Sequence, residues 1–190
     1  FPADRALAYG FTGPNLRACG VDYDVRVMNP YCSYEEFDFI VPVGQNGDTY
    51  DRFMVRQEEM WQSLRIIEQA IAKLDAMDDK ETYFAKDPRF VLPPKEKVYN
   101  NMEALIWHFK IVMGETDIPA GEVYHSVEAA NGELGFYLVS DGGRTASRLH
   151  FRRPCFIYYQ AYPEMVKGAM LSDAILTMSS MNVIAGELDA

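Results

Sequence analysis

The spacing of apolar residues changes along this chain, and each change marks an element. Between Thr49 and Ala76, Met54, Trp61, Leu64, Ile67, Ile71 and Leu74 recur at helical spacing, with Met60 and Ile66 widening the stripe. That period predicts one long amphipathic helix over 49–76, with Asp48 as its N-cap. Val98, Met102, Leu105, Phe109 and Val112 predict a second helix over about 96–113, closed by Gly114. After Pro119 the period drops to two, with Val123, His125 and Val127 alternating with Tyr124, Ser126 and Glu128. Asn131-Gly132 is a favoured hairpin turn, and Leu134, Phe136 and Leu138 form one face of the return strand. Asp141-Gly142-Gly143 turns the chain again, into a third strand over 147–152.

The remaining segments are less regular. Residues 4–10 read as a short helix stopped by Gly10. Residues 11–47 carry Gly13-Pro14, Gly20 and Asn29-Pro30 without strong periodicity, and read as irregular chain. A structureless stretch of that length is unusual inside a compact domain, so it is expected to pack on another protein or on a missing part of its own. Residues 77–97, polar and then rich in proline (Pro88, Pro93, Pro94), read as a crossing loop. Residues 157–181 read as helix broken near Pro163 and Gly168, and 182–190 as an irregular end. The predicted fold is α+β and mainly α: a long-helix core plus a small antiparallel three-stranded meander. Residues 1–190 are read as a single, partial domain.

Composition narrows the function classes. Apolar residues are 48% and charged residues 24% of the chain, enough for a core and too ordinary for general disorder. The formal charge of −10 argues against nucleic acid and anionic lipid as partners, since both require a cationic excess. Cys19, Cys32 and Cys155 are odd in number and form no CxxC pair, which disfavours a disulfide framework and a zinc or iron–sulfur site. A reducing setting is the simplest reading. No apolar run approaches the roughly 18–20 residues that cross a bilayer. Phe1-Pro2-Ala3-Asp4 lacks the basic start of a signal peptide, and the chain opens without Met, as a trimmed piece would.

Candidate chemistry is sparse at this level. His108, His125 and His150 show no metal-ligand spacing and read as packed or surface residues. No nucleophile elbow, P-loop or dinucleotide fingerprint occurs; Gly10-Phe11-Thr12-Gly13-Pro14 lacks the lysine a phosphate loop needs. Arg144, Arg148, His150, Arg152 and Arg153 form a basic island, either a solvated face or a set paired with buried carboxylates. Glu128 and Glu133 flank the hairpin turn, and Asp173 and Glu187 sit among apolar neighbours. Burial there would raise a carboxyl's proton affinity, although partnered structural carboxylates give the same pattern. Ten methionines, several near the tail, suit core filling or an adaptable apolar pocket.

Five segments carry a specific likeness. They are Gly10-Phe11-Thr12-Gly13-Pro14-Asn15-Leu16-Arg17 with Gly20-Val21-Asp22-Tyr23-Asp24; Pro42-Val43-Gly44 through Tyr50-Asp51-Arg52-Phe53 and Arg56-Gln57-Glu58-Glu59; LPPKEKV from Leu92; NGELGFYLVSDGG from Asn131; and MNVIAGELD from Met181. In order and spacing the chain resembles the C-terminal half of the quinone-reducing D subunit of respiratory complex I, the NADH–quinone oxidoreductase. The family's chain is about twice this length, and the His and Tyr that hold the quinone headgroup lie in its N-terminal half. The family is similar in turn to the large subunit of nickel–iron hydrogenases, which predicts part of that fold here. Those enzymes hold metal with two CxxC pairs, whereas Asn182–Glu187 contains no cysteine, so a hydrogenase site is disfavoured.

The resemblance implies an oxidoreductase subunit. Electrons pass from NADH through FMN and iron–sulfur clusters, all in other subunits, to quinone, and the transfer is coupled to proton translocation. The cofactor is quinone in a shared site, with no metal or flavin held by this chain and the last iron–sulfur cluster in a neighbouring subunit. Expected partners are the other peripheral-arm subunits (the cluster-bearing B subunit and the C subunit) and the membrane subunit at the quinone entrance, with no nucleic acid. The expected location is peripheral, on the cytoplasmic side of the bacterial inner membrane. No catalytic residue is assigned to this half. Asn182, Ile184 and Glu187 are the expected chamber residues, and Arg148, Arg152, Asp173 and Asp189 the expected polar network behind them. Many family members carry Asp where this chain has Asn182 and some have Lys or Arg at Asn131; Ala190 replaces a usual Arg. Because an amide cannot exchange a proton as a carboxyl does, a relay role at Asn182 is weakened. The alternative is a scaffold piece that assembles the peripheral arm without touching quinone. In isolation the chain is expected to oxidise no NADH and bind no nickel, and to leave apolar faces exposed.

Overall fold

A computed structural model describes residues 1–78, 87, 90–114 and 118–189 of the chain. In order they form helices α1 (Ala3–Tyr9), α2 (Gly13–Arg17) and α3 (Val25–Met28), a 3-10 turn (Tyr34–Glu36), and the long helix α4 (Thr49–Ala76). Helices α5 (Lys95–Asn100) and α6 (Met102–Val112) precede strands β1 (Gly121–Ala129), β2 (Gly132–Ser140) and β3 (Arg148–Arg152). Helices α7 (Pro154–Met165), α8 (Leu171–Met181) and α9 (Ala185–Asp189) close the chain. The strands make one antiparallel sheet in the order β1-β2-β3. The fold is α+β.

The chain divides into two compact units. The first holds Phe1–Asp75, Tyr124–Phe136 and His150–Ala190; the second holds Ala76–Val123 and Tyr137–Leu149. In the second unit α5 packs on α6. The period there predicts one helix, but the chain breaks at Asn101, which turns extended and caps α6 by accepting from the Ala104 N–H at 3.0 Å. The predicted crossing loop lies partly outside the described residues, and Lys95–Lys97 of it are helical.

The first unit has its core where periodicity is weakest. Residues 11–19 are all buried. Phe11, Leu16 and Cys19 pack with Ala6 of α1, Tyr158 and Ala161 of α7 and Met181 of α8. Phe11 meets the Tyr158 ring edge-on at 5.0 Å. The expectation for 11–47 is therefore corrected. Its first part is the centre of this unit, and its later parts pack on their own chain. Gly44 N–H and Gly47 N–H donate to the Arg17 and Ala18 carbonyls at 2.9 and 3.0 Å. The Asp38 and Ile40 N–H groups donate to the Gln69 and Gln62 side chains of α4, and Gln69 donates back to the Asp38 carbonyl. At the core the turns keep their polar groups partnered by distant chain, with Arg152 donating to the Gly10 carbonyl and Tyr158 to the Thr12 carbonyl.

Helix α4 has its predicted bounds, and Asp48 accepts from the Asp51 N–H at 2.8 Å. Its orientation departs from the amphipathic reading. Arg52 and Val55 are its buried residues, whereas Trp61, Leu64, Ile67, Ile71 and Leu74 are each at least half exposed. The tail also differs from the irregular end predicted, since Ala185–Asp189 are helical. Pro163 lies within α7, and the break comes after it, where Gly168 takes φ +81° before α8.

Candidate functional site

Three polar assemblies in the first unit surround the turn between α8 and α9. The first is a buried charge cluster centred on Arg17, the last residue of α2. Its guanidinium is 1% exposed and donates to Glu128 at 2.9 Å, to the Tyr23 carbonyl at 2.9 Å and to Glu59 of α4, while Asp24 lies at 3.3 Å. Asp24 also receives Arg26 through Nε at 2.9 Å and Nη2 at 2.6 Å, and Glu128 receives the Val25 N–H at 3.2 Å. Burial works against the Arg17 charge, but the three carboxylates outweigh it and hold its guanidinium above the ordinary value. Burial pushes the Glu128 carboxyl up despite the pull of Arg17.

The second assembly fastens α8 to α4. Arg52 donates to Ser180 Oγ at 2.9 Å. Arg56 donates to the carbonyls of Ser180 at 2.5 Å and Met181 at 3.3 Å, and to Asn15 Oδ1 at 3.1 Å. Asn15 in turn donates to the Met181 carbonyl at 3.2 Å. These carbonyls end α8 and have no partner within the helix, so cationic donors suit both their hydrogen bonding and the negative end of the helix dipole.

The third assembly ties the hairpin turn to the tail. Asn131, 2% exposed, accepts from Asn182 Nδ2 at 2.5 Å and donates to Cys155 Sγ at 3.2 Å and weakly to Glu187 at 3.5 Å. Glu187 also accepts the Cys155 N–H at 3.0 Å. Burial and then the Glu187 carboxylate push the Cys155 thiol up to about 11, so it is neutral and unreactive. Tyr158 donates its hydroxyl between the carbonyls of Thr12 and Asn131, pinning the same turn to the start of α2.

Two of the clefts beside these assemblies share lining residues. One, of about 440 Å³, is lined by charged groups: Arg17, Arg26, Arg56, Glu59 and Glu128, with Asn182. The other, of about 660 Å³, is lined by Tyr50, Phe53 and Leu176 with Ser179, Arg56 and Asn182. Arg56 and Asn182 thus belong to both. This second cleft is a slot of mostly apolar lining with a few polar groups, the make-up of a small-molecule pocket. Among the described residues no cluster of His, Cys, Asp and Glu is suited to a metal, and no helix is long and apolar enough to cross a membrane.

Residues 1–190 match the family described as the respiratory-chain NADH dehydrogenase, 49 Kd subunit. The chain belongs to that family.

This family member is 72% identical over 188 residues to a D subunit of NADH-quinone oxidoreductase (the D 2 form) from Cytophaga hutchinsonii, covering 99% of the chain and 48% of the relative. It is 69% identical over 188 residues to the D subunit from Flavobacterium johnsoniae, covering 99% of the chain and 45% of the relative. A C/D subunit of the same oxidoreductase from Bdellovibrio bacteriovorus is 55% identical over 187 residues, covering 98% of the chain and 33% of the relative. The chain therefore spans about half the length of these D relatives and a third of the C/D one.

The predicted site residues separate into two groups. Asn182 and Glu187 are joined through Asn131, while Ile184, between them, is 47% exposed and lines neither cleft. Asn182 holds φ +55°, a left-handed position that Asn tolerates at a helix end. Arg152 is held at the core, donating to the Glu133 carbonyl at 2.8 Å and the Gly10 carbonyl at 2.9 Å. The Glu133 carboxylate accepts from Tyr23 and Tyr124, and burial, then Glu133, push the Tyr124 phenol up to about 12. Arg148 lies exposed in the second unit. Asp173 caps α8 by accepting the Met170 N–H at 3.0 Å, and Asp189 is exposed on α9. Arg17, Arg56, Asn15 and Cys155 were not singled out by sequence reasoning. The only signal for the first three was membership of the GFTGPNLR and RQEE segments, and Cys155 had none.

Asp24 gives this cluster an acid limit. Burial would raise its carboxyl, but the hydrogen bonds and charge of Arg26, with Arg17, hold it below the usual aspartate range. A carboxyl depressed in the folded state contributes stability above its unfolded value, and that contribution is lost as pH falls through the folded one. The full-length subunit is therefore expected to lose denaturant resistance as pH drops below the normal aspartate range. Asp24→Asn should flatten that loss and cost roughly 1.5–3 kcal/mol at neutral pH, the worth of charged hydrogen bonds. An unaltered acid limb in the variant would remove Asp24 as its cause.

Proposed function

We propose that this chain helps form the quinone chamber of an NADH–quinone oxidoreductase. In this reading electrons arrive from NADH through FMN and iron–sulfur clusters held by other subunits, the last of them in the neighbouring B subunit. The C subunit and a membrane subunit at the quinone entrance complete the surroundings, and quinone reduction is coupled to proton translocation. The chain sits at the cytoplasmic face of the inner membrane, and its fold is part of one shared with nickel–iron hydrogenase large subunits. The observation that carries the reading is the junction at Asn182. Of the three tail residues expected to face quinone, Asn182 is the one that, with Arg56, lines both an apolar slot and a charged cleft. Glu187 reaches the same junction through Asn131, while Arg152 holds the Glu133 and Gly10 carbonyls away from it. Ile184, Asp173 and Asp189 stand outside the junction and Arg148 belongs to the second unit, so their contribution to the chamber rests on the family resemblance.

Filling the slot tests the reading. In the assembled complex, Leu176→Trp is expected to raise the KM for quinone about tenfold, equivalent to ~1.4 kcal/mol. NADH oxidation by an artificial acceptor that bypasses quinone should not change. Equal KM in parent and variant, with the complex intact, would end the chamber assignment.

The exposed apolar stripe of α4, with Trp61 60% and Ile67 52% exposed, favours a second reading in which this half mainly holds the peripheral arm together. Exchanging residues 182–187 separates the two. A raised quinone KM in intact complex supports the chamber; lost assembly with unchanged KM supports the scaffold.

A further inference from the structure

We propose that Asn131 is a positioning residue that fixes the direction of the Asn182 amide, so that the wall at Asn182 presents a hydrogen-bond acceptor and holds quinol in preference to quinone. This rests on the chamber reading above. It concerns one contact, made in addition to the His and Tyr expected in the other half of the subunit. A quinone oxygen is a carbonyl and only accepts, whereas a quinol oxygen carries a hydrogen and donates. An asparagine amide has a donor end and an acceptor end, and the end that faces a ligand decides which oxidation state it fits.

The two ends of an amide are told apart by their partners, and here the partners form a directed chain. It begins at Glu187, whose Oε2 accepts the Cys155 N–H at 3.0 Å and whose Oε1 lies 3.5 Å from Asn131 Nδ2. The Cys155 thiol points its hydrogen toward the Asn182 carbonyl, 3.6 Å from Sγ, and on its other side the sulfur accepts from Asn131 Nδ2 at 3.2 Å. Carboxylate and sulfur both call for the donor end of Asn131. Its acceptor end is therefore turned the other way, where Oδ1 accepts from Asn182 Nδ2 at 2.5 Å. Asn131 is 2% exposed and its backbone carbonyl accepts from Tyr158, so neither the side chain nor its turn is free to move.

Asn182 is held as firmly. It closes α8 at φ +55°, and the Met181 carbonyl before it accepts from Asn15 at 3.2 Å and from Arg56 at 3.3 Å. The residue is nevertheless exposed, and it lines both the apolar slot and the charged cleft. With the backbone clamped and Nδ2 engaged against a buried partner, Oδ1 on the other arm of the planar amide is the end offered to a ligand. The hydroxyls of Tyr50 and Ser179 on the same slot both donate and accept, so they fit either oxidation state. Asn131 is what gives the Asn182 contact its preference. A wall that holds quinol better than quinone makes the bound couple easier to reduce.

The test uses the assembled complex with a soluble quinone, and reads the ratio of the quinol inhibition constant to the quinone KM. Asn182→Ala is expected to raise that ratio about fivefold, the size of one neutral hydrogen bond. Asn131→Leu removes the acceptor behind the amide and lets it turn, so it should give a similar rise. Added to Asn182→Ala it should give no further one. A merely structural Asn131 would instead move both constants together, in either background. Asn131→Lys covers the case in which Asn131→Leu does not assemble, because it supplies a counter-charge to Glu187. Its ammonium donates where Asn131 accepted, so the Asn182 amide should turn its N–H outward and the ratio should rise further. A parental ratio in the assembled variants would overturn the proposal. Should the chamber reading be what fails, Leu176→Trp will leave quinone KM unchanged. Should only the role of Asn131 fail, Leu176→Trp will still raise KM while the Asn131 variants keep the parental ratio.

Discussion

Replacing Arg17 with Met is expected to cost the folded subunit about 3–5 kcal/mol, because it strands buried charge. One guanidinium here serves Glu59, Glu128 and Asp24, and its own exposure is 1%. Removing it leaves Glu128 and Asp24, which burial alone would push toward the neutral form, with the Glu59 carboxylate beside them. Lys in its place should recover only part of the loss, since a single ammonium cannot reach three partners with the planar fork of Arg. The measurement is thermal unfolding of the subunit in its complex, with assembly yield beside it. Because the penalty comes from stranded carboxylates, Arg17→Met combined with Glu128→Gln should be less damaging than the sum of the two single changes. Additive effects, or a parental melting curve for Arg17→Met, would mean that solvent reaches this cluster.

Gly13→Ala should be nearly as damaging, for a steric reason. Gly13 has φ +62°, and a Cβ there would meet the Cα and N of Gly132 well inside van der Waals contact, with the Asn131 carbonyl at 3.1 Å. Both obstacles are backbone, and the hairpin turn they belong to is fastened by Tyr158 and by Thr12, whose Oγ1 accepts the Glu133 N–H at 3.0 Å. The left-handed conformation costs an alanine roughly 1–2 kcal/mol, and forcing apart a packed contact adds about 1–3 kcal/mol. Gly168→Ala provides the control: its φ is +81° and nothing lies within 4 Å, so only the conformational part applies. A larger melting-temperature drop for Gly13→Ala than for Gly168→Ala is the expected result. Equal drops would show that α2 and the hairpin turn are not in contact in the full subunit.

Both changes fall in the segment that reads as irregular, which shows where local sequence patterns lose their power. Periodicity reports a face that is buried continuously over several turns. Residues 11–19 are buried over barely more than one turn of helix, against three separate elements, so no repeat can form. The opposite happens in α4. Its stripe is so regular that the helix is found to the residue, yet the regularity does not say what the stripe faces. In this unit α4 turns Arg52 and Val55 inward and leaves Trp61 to Leu74 exposed, because the interior it meets consists of the carbonyl ends of α8 and not of apolar side chains.

The candidate site divides along the same line. The ordered family segments point to Asn182 and Glu187 by resemblance, and the hairpin motif places Asn131 at a turn. That turn falls at Ala130-Asn131, one residue earlier than predicted, with Gly132 already in β2. Nothing in the linear chain joins Asn131 to Asn182, 51 residues away, or Arg17 to Glu128, 111 residues away. Sequence by itself determined the long helix, the meander, the capped helix ends and membership of the family, because each rests on local geometry or on ordered identity. Tertiary structure alone decided which arginines are buried, which carboxylates they hold and where the two clefts meet. Those outcomes depend on desolvation and on distances across the fold, and a charge's neighbours in space are set by packing, not by its place in the chain.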